Sequence, residues 1–273
     1  MLKRHGPIVE FLPHDVVELI LEGLPVESLL RFKSVSKKWK STIESQSFQE
    51  RQCIRRRQSR GPDVLCVYLI DDSIPIDDDG LDTDAERIVV GSSIVSTIRF
   101  PTSGSGSMFC RNSCDGLVCL YSLYRPSVVV NPTTRCHRRF PLSSYQHLVF
   151  NKFRYPTPEL GFGKDIVRGT YKPVWLYNSS EFGLDDVTTC EVFDFSTNAW
   201  RYVVPASPYR ILSLSRPVYL DGSLYWLTGC EETKVLSLDL HTETFQVICK
   251  APFAHVTDPY HVNMCILDNR LCV

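Results

Sequence analysis

The segment Asp221-Gly222-Ser223-Leu224-Tyr225-Trp226-Leu227 decides the fold class of this chain, because a turn dipeptide stands directly before residues that favour a strand. A second apolar run, 235–238, ends in Asp239, and Thr242 and Phe245 follow it. The stretch predicts a strand, a turn, a strand ending in Asp, a turn through Thr, and a strand led by an aromatic residue.

The same pattern recurs in the C-terminal part of the chain. Residues 115–134 hold a second copy, residues 192–200 hold the later half of another, and residues 268–273 begin a further one. The aligned turn threonines are Thr134, Thr197 and Thr242. Units of several strands that repeat every 45–50 residues or so are typical of propeller blades, and a two-sheet sandwich is the alternative. The Thr turn is expected to satisfy backbone groups, and the aromatic residue to pack between neighbouring units.

The N-terminal part has helical periodicity instead. Pro13 suits the first turn of a helix that Gly23 would end, and Pro25 would begin a second helix. A third helix is indicated by apolar residues at i, i+4 and i+8, namely Val35, Trp39 and Ile43. The sequence therefore predicts an α+β multidomain chain, with three small helices followed by an all-β domain.

Three helices in about 40 residues cannot bury much apolar surface. Leu12, Leu21 and Leu24 are expected to exceed the capacity of so small a core, which favours a unit that docks on a partner or on the adjoining domain. An ordinary helical cap is the alternative.

Charge divides the chain in the same way. Residues 1–60 carry 12 Lys/Arg against 7 Asp/Glu, and the rest carries 18 against 24. The arginines of 51–60 indicate either a nuclear signal or nucleic-acid patch, or the solvated face of a helix in a linker. The linker helix is favoured, because no aromatic residues lie among the arginines. Gly61-Pro62 is the expected boundary, and with a net charge of −1 no nucleic acid is expected as a partner.

Several functional classes are not supported by any motif. No apolar run long enough to span a membrane and no secretory signal is found, so an intracellular location, nucleus or cytoplasm, and reduced cysteines are expected. Cys110, Cys114 and Cys119 lack the paired spacing of zinc ligands, and residues 77–86 place Ile88 where a calcium loop needs Glu. No metal or cofactor is predicted.

A catalytic site is not predicted either. No GxSxG, HExxH, paired CxxC or Walker motif occurs, and the loop 101–107 lacks the Lys-Ser/Thr of a phosphate-binding loop. His241 is interpreted as a turn residue, and His255 and His261 as loop residues. A Cys- or His-dependent hydrolase is the alternative hypothesis from the enzyme class.

Residues 12–39 resemble the F-box, with Leu12-Pro13, Asp15-Val16-Val17, Ile20-Leu21 and the run 24–39 in order, and with Ser36 where many members have Cys. The resemblance implies docking on a Skp1-like protein and, through it, on the cullin and RING/E2 parts of an SCF (Skp1–cullin–F-box) ubiquitin ligase. The residues it implies for docking, or for holding the docking helices, are Leu12, Pro13, Ile20, Leu21, Leu24, Pro25, Leu29, Leu30, Val35 and Trp39.

From about residue 110 to the end the chain resembles the F-box-associated domain of plant F-box proteins, a kelch-like domain with single glycines, Gly116 and Gly222, for the usual pair. The matching segments are 112–120, 131–134, 160–163, 171–174, 191–201, 217–227, 239–245 and 267–271. The expected division is an F-box at 8–50, a basic linker at 51–62 and a β domain at 63–273. Since the chain ends as a repeat begins, an open or shortened propeller is expected.

The resemblances imply a non-catalytic adaptor that brings an unknown target protein to ubiquitylation. The alternative is a shortened Skp1-binding protein without ubiquitylation activity. Three turn-rich segments are the candidates for contacting the target: Pro101–Ser107, Ser179–Val187 and Phe253–Tyr260.

Overall fold

The computed structural model describes residues 12–59, 65–68, 87–90, 109–132, 134, 136–151, 158–212, 216–251 and 262–273. These residues fall into two compact units. The helical unit comprises residues 12–59 with the short strands at 65–68 and 87–90, and the sheet unit comprises residues 109–132 and the described residues from 136 onward.

The helical unit contains four helices: α1 (His14–Glu22), α2 (Val26–Phe32), α3 (Lys37–Glu44) and α4 (Gln46–Ser59). Pro13 and Pro25 stand at the N-caps of α1 and α2, and Gly23 ends α1, which confirms these sequence predictions. Ser36 caps α3 by accepting a hydrogen bond from the Trp39 N–H at 3.1 Å. Val35 therefore precedes the third helix and is 58% exposed, so its assignment to the apolar face of that helix is wrong.

The core of the helical unit consists of Leu21, Leu29, Ile43 and Phe48, each at most 5% exposed. Leu24 packs against them and is partly buried. The expectation that Leu21 and Leu24 exceed the capacity of the core is thus wrong, because α4 supplies Phe48 and enlarges the core.

The basic run also has a structural role on α4. The Arg51 guanidinium contacts Glu22 at 2.6 Å and Glu18 at 2.5 Å, which ties α4 to α1.

Two short strands accompany the helices. β1 (Leu65–Tyr68) pairs antiparallel with β2 (Arg87–Val90), with Leu65 opposite Val90. The acidic segment 77–86, which was compared with a calcium loop, and the loop at 101–107 lie outside the described residues.

The sheet unit contains three antiparallel four-stranded sheets in which the strands follow chain order, and a final hairpin. The first sheet is β3 (Phe109–Cys114), β4 (Leu117–Tyr121), β5 (Ser127–Val130) and β6 (His137–Phe140), and helix α5 (Ser144–Asn151) follows it. The second is β7 (Gly161–Asp165), β8 (Thr170–Asn178), β9 (Thr188–Asp194) and β10 (Ala199–Tyr202). The third is β11 (Val218–Leu220), β12 (Ser223–Leu227), β13 (Lys234–Asp239) and β14 (Phe245–Lys250), and β15 (Cys265–Leu267) pairs with β16 (Arg270–Cys272).

Three two-residue turns explain the recurrence of Asp in the sequence. Asp115-Gly116, Asp221-Gly222 and Asp268-Asn269 have positive φ at both positions and join β3 to β4, β11 to β12 and β15 to β16. Such turns match the twist of the strands that they connect. In the four-stranded sheets, the strand before the Asp-Gly turn is the first strand of the sheet. Each complete repeat therefore has four strands, and the prediction of three strands per repeat was incomplete.

The turn through Thr is stabilised by the Asp that ends the preceding strand. The Asp239 carboxylate accepts hydrogen bonds from the backbone N–H groups of His241 at 2.7 Å and Thr242 at 2.8 Å, and Asp194 accepts one from Ser196 at 2.7 Å. The side chain that satisfies these backbone groups is therefore the Asp, whereas the sequence interpretation assigned that role to the Thr.

Consecutive sheets pack on each other through aromatic side chains. The Trp200 ring on β10 lies 5.9 Å from that of Phe140 on β6, and its Nε1 donates to the Pro141 carbonyl at 2.8 Å. This confirms the expected packing of the aromatic residue between units. The first strands of neighbouring sheets also contact each other, β3 with β7 and β7 with β11. A Cβ at Gly163 of β7 would clash with the Tyr219 ring of β11 and lie 2.7 Å from Leu240 Cδ1. Glycine at this position therefore permits β7 to approach the third sheet closely. The arrangement is propeller-like rather than a two-sheet sandwich.

Helix α5 is held on the second sheet by one buried carboxylate. Glu191 of β9 is 1% exposed and accepts hydrogen bonds from the N–H groups of Ser144 at 2.9 Å and Tyr145 at 2.8 Å, and from the Tyr177 hydroxyl at 3.1 Å. A negative charge at a helix N-terminus also interacts favourably with the helix dipole.

Replacing this carboxylate is expected to destabilise the sheet unit. Glu191→Gln removes the charge and one acceptor oxygen, so we expect the free energy of unfolding to fall by about 2 kcal/mol. Urea unfolding followed by tryptophan fluorescence measures this loss, with Glu231→Gln, an exposed glutamate in the same unit, as the control. Equal stability of the two variants would contradict the capping role.

Candidate docking surfaces

Helix α1 carries apolar residues both on the side that packs into the core and on the exposed part of its surface. Leu21 and Val17 pack into the core of the helical unit. Val16, Leu19 and Ile20 lie on other faces of the helix and are 40%, 60% and 51% exposed. Together with Leu12, which precedes the helix and is 61% exposed, these three side chains are called here the outer apolar face. So much exposed aliphatic surface on one small unit indicates an interaction site.

The ten residues proposed from the sequence for Skp1 docking divide into three groups by exposure. Leu21 and Leu29 are buried in the core, and Leu24 and Trp39 are partly buried against it. The exposed ones are Leu12, Pro13, Ile20, Pro25, Leu30 and Val35. Val16 and Leu19 were not among the ten, because periodicity reveals an apolar stripe but does not tell which of two stripes faces the core.

The outer apolar face rests on a well-supported helix. Thr42 Oγ1 of α3 lies 3.1 Å from His14 Nε2, and the Gln52 side chain of α4 donates to the Leu24 carbonyl at 3.2 Å. With the Arg51 ion pairs, these contacts fix α1 on both neighbouring helices, so the face is presented in one orientation.

The sheet unit contains a buried ionic network that sequence reasoning missed. Lys172 of β8, with its side chain 7% exposed, has its Nζ 3.4 Å from the fully buried Asp165 and 2.8 Å from Glu243, which also pairs with Arg201. His241 Nδ1 lies 3.3 Å from Asp165. His241 is thus in a turn as predicted, but its ring also faces a buried charge. The members come from two sheets, so no local pattern could have revealed the network.

Burial and ion pairing act in opposite directions on the carboxylates of this network. Burial raises the pKa of Asp165, but hydrogen bonds from the Arg168 backbone and His241, with the charge of Lys172, leave it below its ordinary value. Burial also raises the pKa of Glu243, and the hydrogen bonds from Arg201 and Lys172 outweigh that effect. Both groups are therefore stabilised as anions, which suits a structural role.

The candidate groups for metal binding or catalysis are placed as follows. Cys114 and Cys119 are buried in the core of the sheet unit, and burial raises the pKa of the Cys119 thiol, which makes it a weak nucleophile. Within the described part of the chain, no group of three or more His, Cys, Asp or Glu side chains could hold a metal ion. His255 and His261 lie outside the described residues.

Of the three segments suggested for target contact, one is described. Ser179–Val187 forms a 3-10 turn at Ser179–Phe182 and then an exposed stretch from 183 to 187. Residues 101–107 lie outside the described residues, as do 253–260. Among the helices that the structure describes, none is long and apolar enough to cross a membrane.

Comparison with known proteins gives matches over both parts of the chain. Residues 10–51 match the family described as the F-box domain, and residues 87–273 match the F-box associated beta propeller domain. The chain is 62% identical to F-box protein At1g11270 of Arabidopsis thaliana, over 100% of this chain and 86% of that protein. It is 54% identical to the Arabidopsis F-box/LRR-repeat/kelch-repeat protein At1g09650, over 99% of this chain and 72% of the relative. F-box protein At5g10340 of the same plant is also 54% identical, over 97% of this chain and 63% of that protein.

Proposed function

The chain belongs to the plant F-box proteins with an F-box-associated beta propeller domain, and we propose that it is a substrate-recognition adaptor of an SCF ubiquitin ligase. In this proposal residues 8–50 form the F-box, which contains α1 to α3 and the first turn of α4. The β domain, 63–273, binds the target protein, and the basic segment 51–62 joins the two.

The outer apolar face is the observation that supports Skp1 docking. Leu12 and Ile20 are each more than half exposed, with Leu30 and Val35 as further exposed aliphatic residues of the unit. We assign docking to these four residues, with Pro13 and Pro25, and to Val16 and Leu19, which complete the outer apolar face. Holding the docking helices in place is assigned to Leu21, Leu24, Leu29 and Trp39, which pack in or against the core.

The proposed contribution of the adaptor to ubiquitylation is proximity. A protein that holds the target and the Skp1–cullin–RING/E2 assembly at once raises the effective concentration of target lysines near the loaded E2, and it needs no reactive group of its own. The match to an F-box and an F-box associated beta propeller domain supports a non-catalytic subunit. We propose that this subunit acts in the nucleus or cytoplasm.

Affinity purification of the tagged chain from plant cells, with the proteasome inhibited, tests the proposal. We expect a Skp1-like protein and a cullin to co-purify, together with polyubiquitylated client proteins. Recovery of Skp1 without ubiquitylated clients would favour the alternative of a Skp1-binding protein without ubiquitylation activity, and absence of both Skp1 and cullin would refute the adaptor function.

A further inference from the structure

A groove of about 590 Å³ opens on the sheet unit between two chain connections. One wall is formed by residues 184–190 and the other by residues 202–208. The β8–β9 and β10–β11 connections supply most of these residues. They emerge at the same end of the second sheet, because successive strands of an antiparallel sheet alternate in direction.

The base of the groove is held by buried hydrogen bonds. The Thr188 hydroxyl donates to the Ser207 carbonyl at 2.5 Å, and these two residues are 1% and 2% exposed. Next to them, the Val203 N–H donates to the Cys190 carbonyl at 3.0 Å. Since both walls are attached to β9 in this way, the groove is formed before any ligand arrives, which lowers the entropy cost of binding.

Both walls present apolar side chains to solvent. Leu184 and Val187 on one wall are 40% and 44% exposed, and Tyr202 and Val204 on the other are 55% and 85% exposed. Aliphatic and aromatic side chains left exposed on facing walls are a common feature of sites that bury a partner side chain.

The rim of the groove is negatively charged. Asp185 and Asp186 are exposed, and neither forms an ion pair with another residue in the described part of the chain. The arginines that flank the 202–208 wall in the chain are engaged elsewhere, Arg201 with Glu243 and Arg210 with Glu181. Two acidic side chains beside apolar walls are complementary to a ligand that carries positive charge next to apolar groups.

We propose that this groove binds a segment of the target protein in which large apolar side chains stand beside Lys or Arg. The inference rests on the adaptor function proposed above and gives it a chemical class of target. A protein segment fits better than a small molecule, because the apolar side chains of both walls remain open to solvent.

Peptide binding to the full chain, co-purified with a Skp1-like protein, tests the inference. The probe is the fluorescein-labelled nonapeptide Gly-Ser-Lys-Leu-Lys-Phe-Lys-Ser-Gly, and fluorescence anisotropy gives its affinity. One matched peptide has Ser in place of Leu and Phe, and another has Glu in place of each Lys. We expect only the first peptide to bind. The double variant Asp185→Asn/Asp186→Asn should weaken that binding about tenfold, and Val204→Ser several-fold.

The controls are Glu231→Gln and Val167→Ser, which alter exposed residues elsewhere on the sheet unit and should leave the affinity unchanged. Equal binding of the Ser-substituted peptide, unchanged affinity in the groove variants, or no binding at all would each overturn the inference. Skp1 co-purification is scored on the same preparations and should survive every groove variant. Loss of Skp1 from the unmodified chain would count against the adaptor function, whereas the peptide affinities report on the groove alone.

Discussion

The double variant Leu12→Ser/Ile20→Ser is expected to lose co-purification with a Skp1-like protein, through a decrease in affinity of about 100-fold or more. Both side chains are exposed in the free chain, at 61% and 51%, so their removal leaves no cavity in the helical core. Each contributes apolar area only when a partner covers it, and full burial of such a side chain stabilises a complex by about 1.5–3 kcal/mol. Quantitative pull-down or calorimetry with purified Skp1-like protein gives the affinity.

The choice of residues matters for this experiment. Leu29→Ala would also reduce binding, but Leu29 is 3% exposed, and such a truncation costs about 2–5 kcal/mol of stability by leaving a cavity. The matched control is Val167→Ser, a surface change in the sheet unit at a residue that is 68% exposed. Helical circular dichroism should be the same in the double variant, in Val167→Ser and in the unmodified chain. Unchanged Skp1 affinity in the double variant would show that the outer apolar face is not the docking site.

Lys172→Ala is expected to destabilise the sheet unit by about 3–5 kcal/mol. The substitution leaves the carboxylates of Asp165 and Glu243 without the ammonium group that lies between them, and Asp165 is fully buried. Breaking a buried ion pair by removing one partner costs more than losing a surface pair. Urea unfolding monitored by tryptophan fluorescence measures the difference from the unmodified chain.

The control for this variant is Lys164→Ala, which removes a lysine of the same sheet whose pair with Asp115 is partly exposed, and we expect it to cost less than about 1 kcal/mol.

The effect of Lys172→Ala should also depend on pH. In the unmodified chain the lowered pKa values of Asp165 and Glu243 stabilise the fold above the unfolded pKa values, near 4, and this stabilisation disappears as the pH falls through the folded values. The difference between the two proteins should therefore shrink in acid. A pH-independent loss would indicate a packing defect.

The sequence predicted the helix ends and the tight turns, because these depend on the conformations of a few neighbouring residues. Pro13 and Gly23 bound α1 as expected, and the recurring Asp-Gly pairs mark real turns, because both signals follow from backbone conformations available to those residues. The packing of Trp200 between sheets was also foreseen, because Trp200 and Phe245 both stand three residues after a turn threonine of the repeat.

The features that were missed depend on distant residues. Leu21 is buried partly because Phe48 of a fourth helix packs in the same core. That helix was not predicted, because its sequence is mostly polar residues and arginines. The first strand of each sheet was overlooked in the repeat, because segments such as Gly161–Asp165 have little apolar alternation. For the docking residues, the composition indicated more apolar side chains than a small core can bury. Only the packing in the structure shows that Ile20 is exposed and that Leu21 is buried.

The groove walls have a consequence for how such a protein can diverge after gene duplication. Leu184, Asp185, Asp186 and Val204 are exposed and contribute little to the core, so substitutions there are expected to change the free energy of unfolding by about 0.5 kcal/mol or less. The buried Thr188–Ser207 hydrogen bond keeps the connections in place whatever those side chains are. If the groove binds the target as proposed, duplicated copies can therefore come to bind different targets by changing a few surface positions, without passing through unstable intermediates.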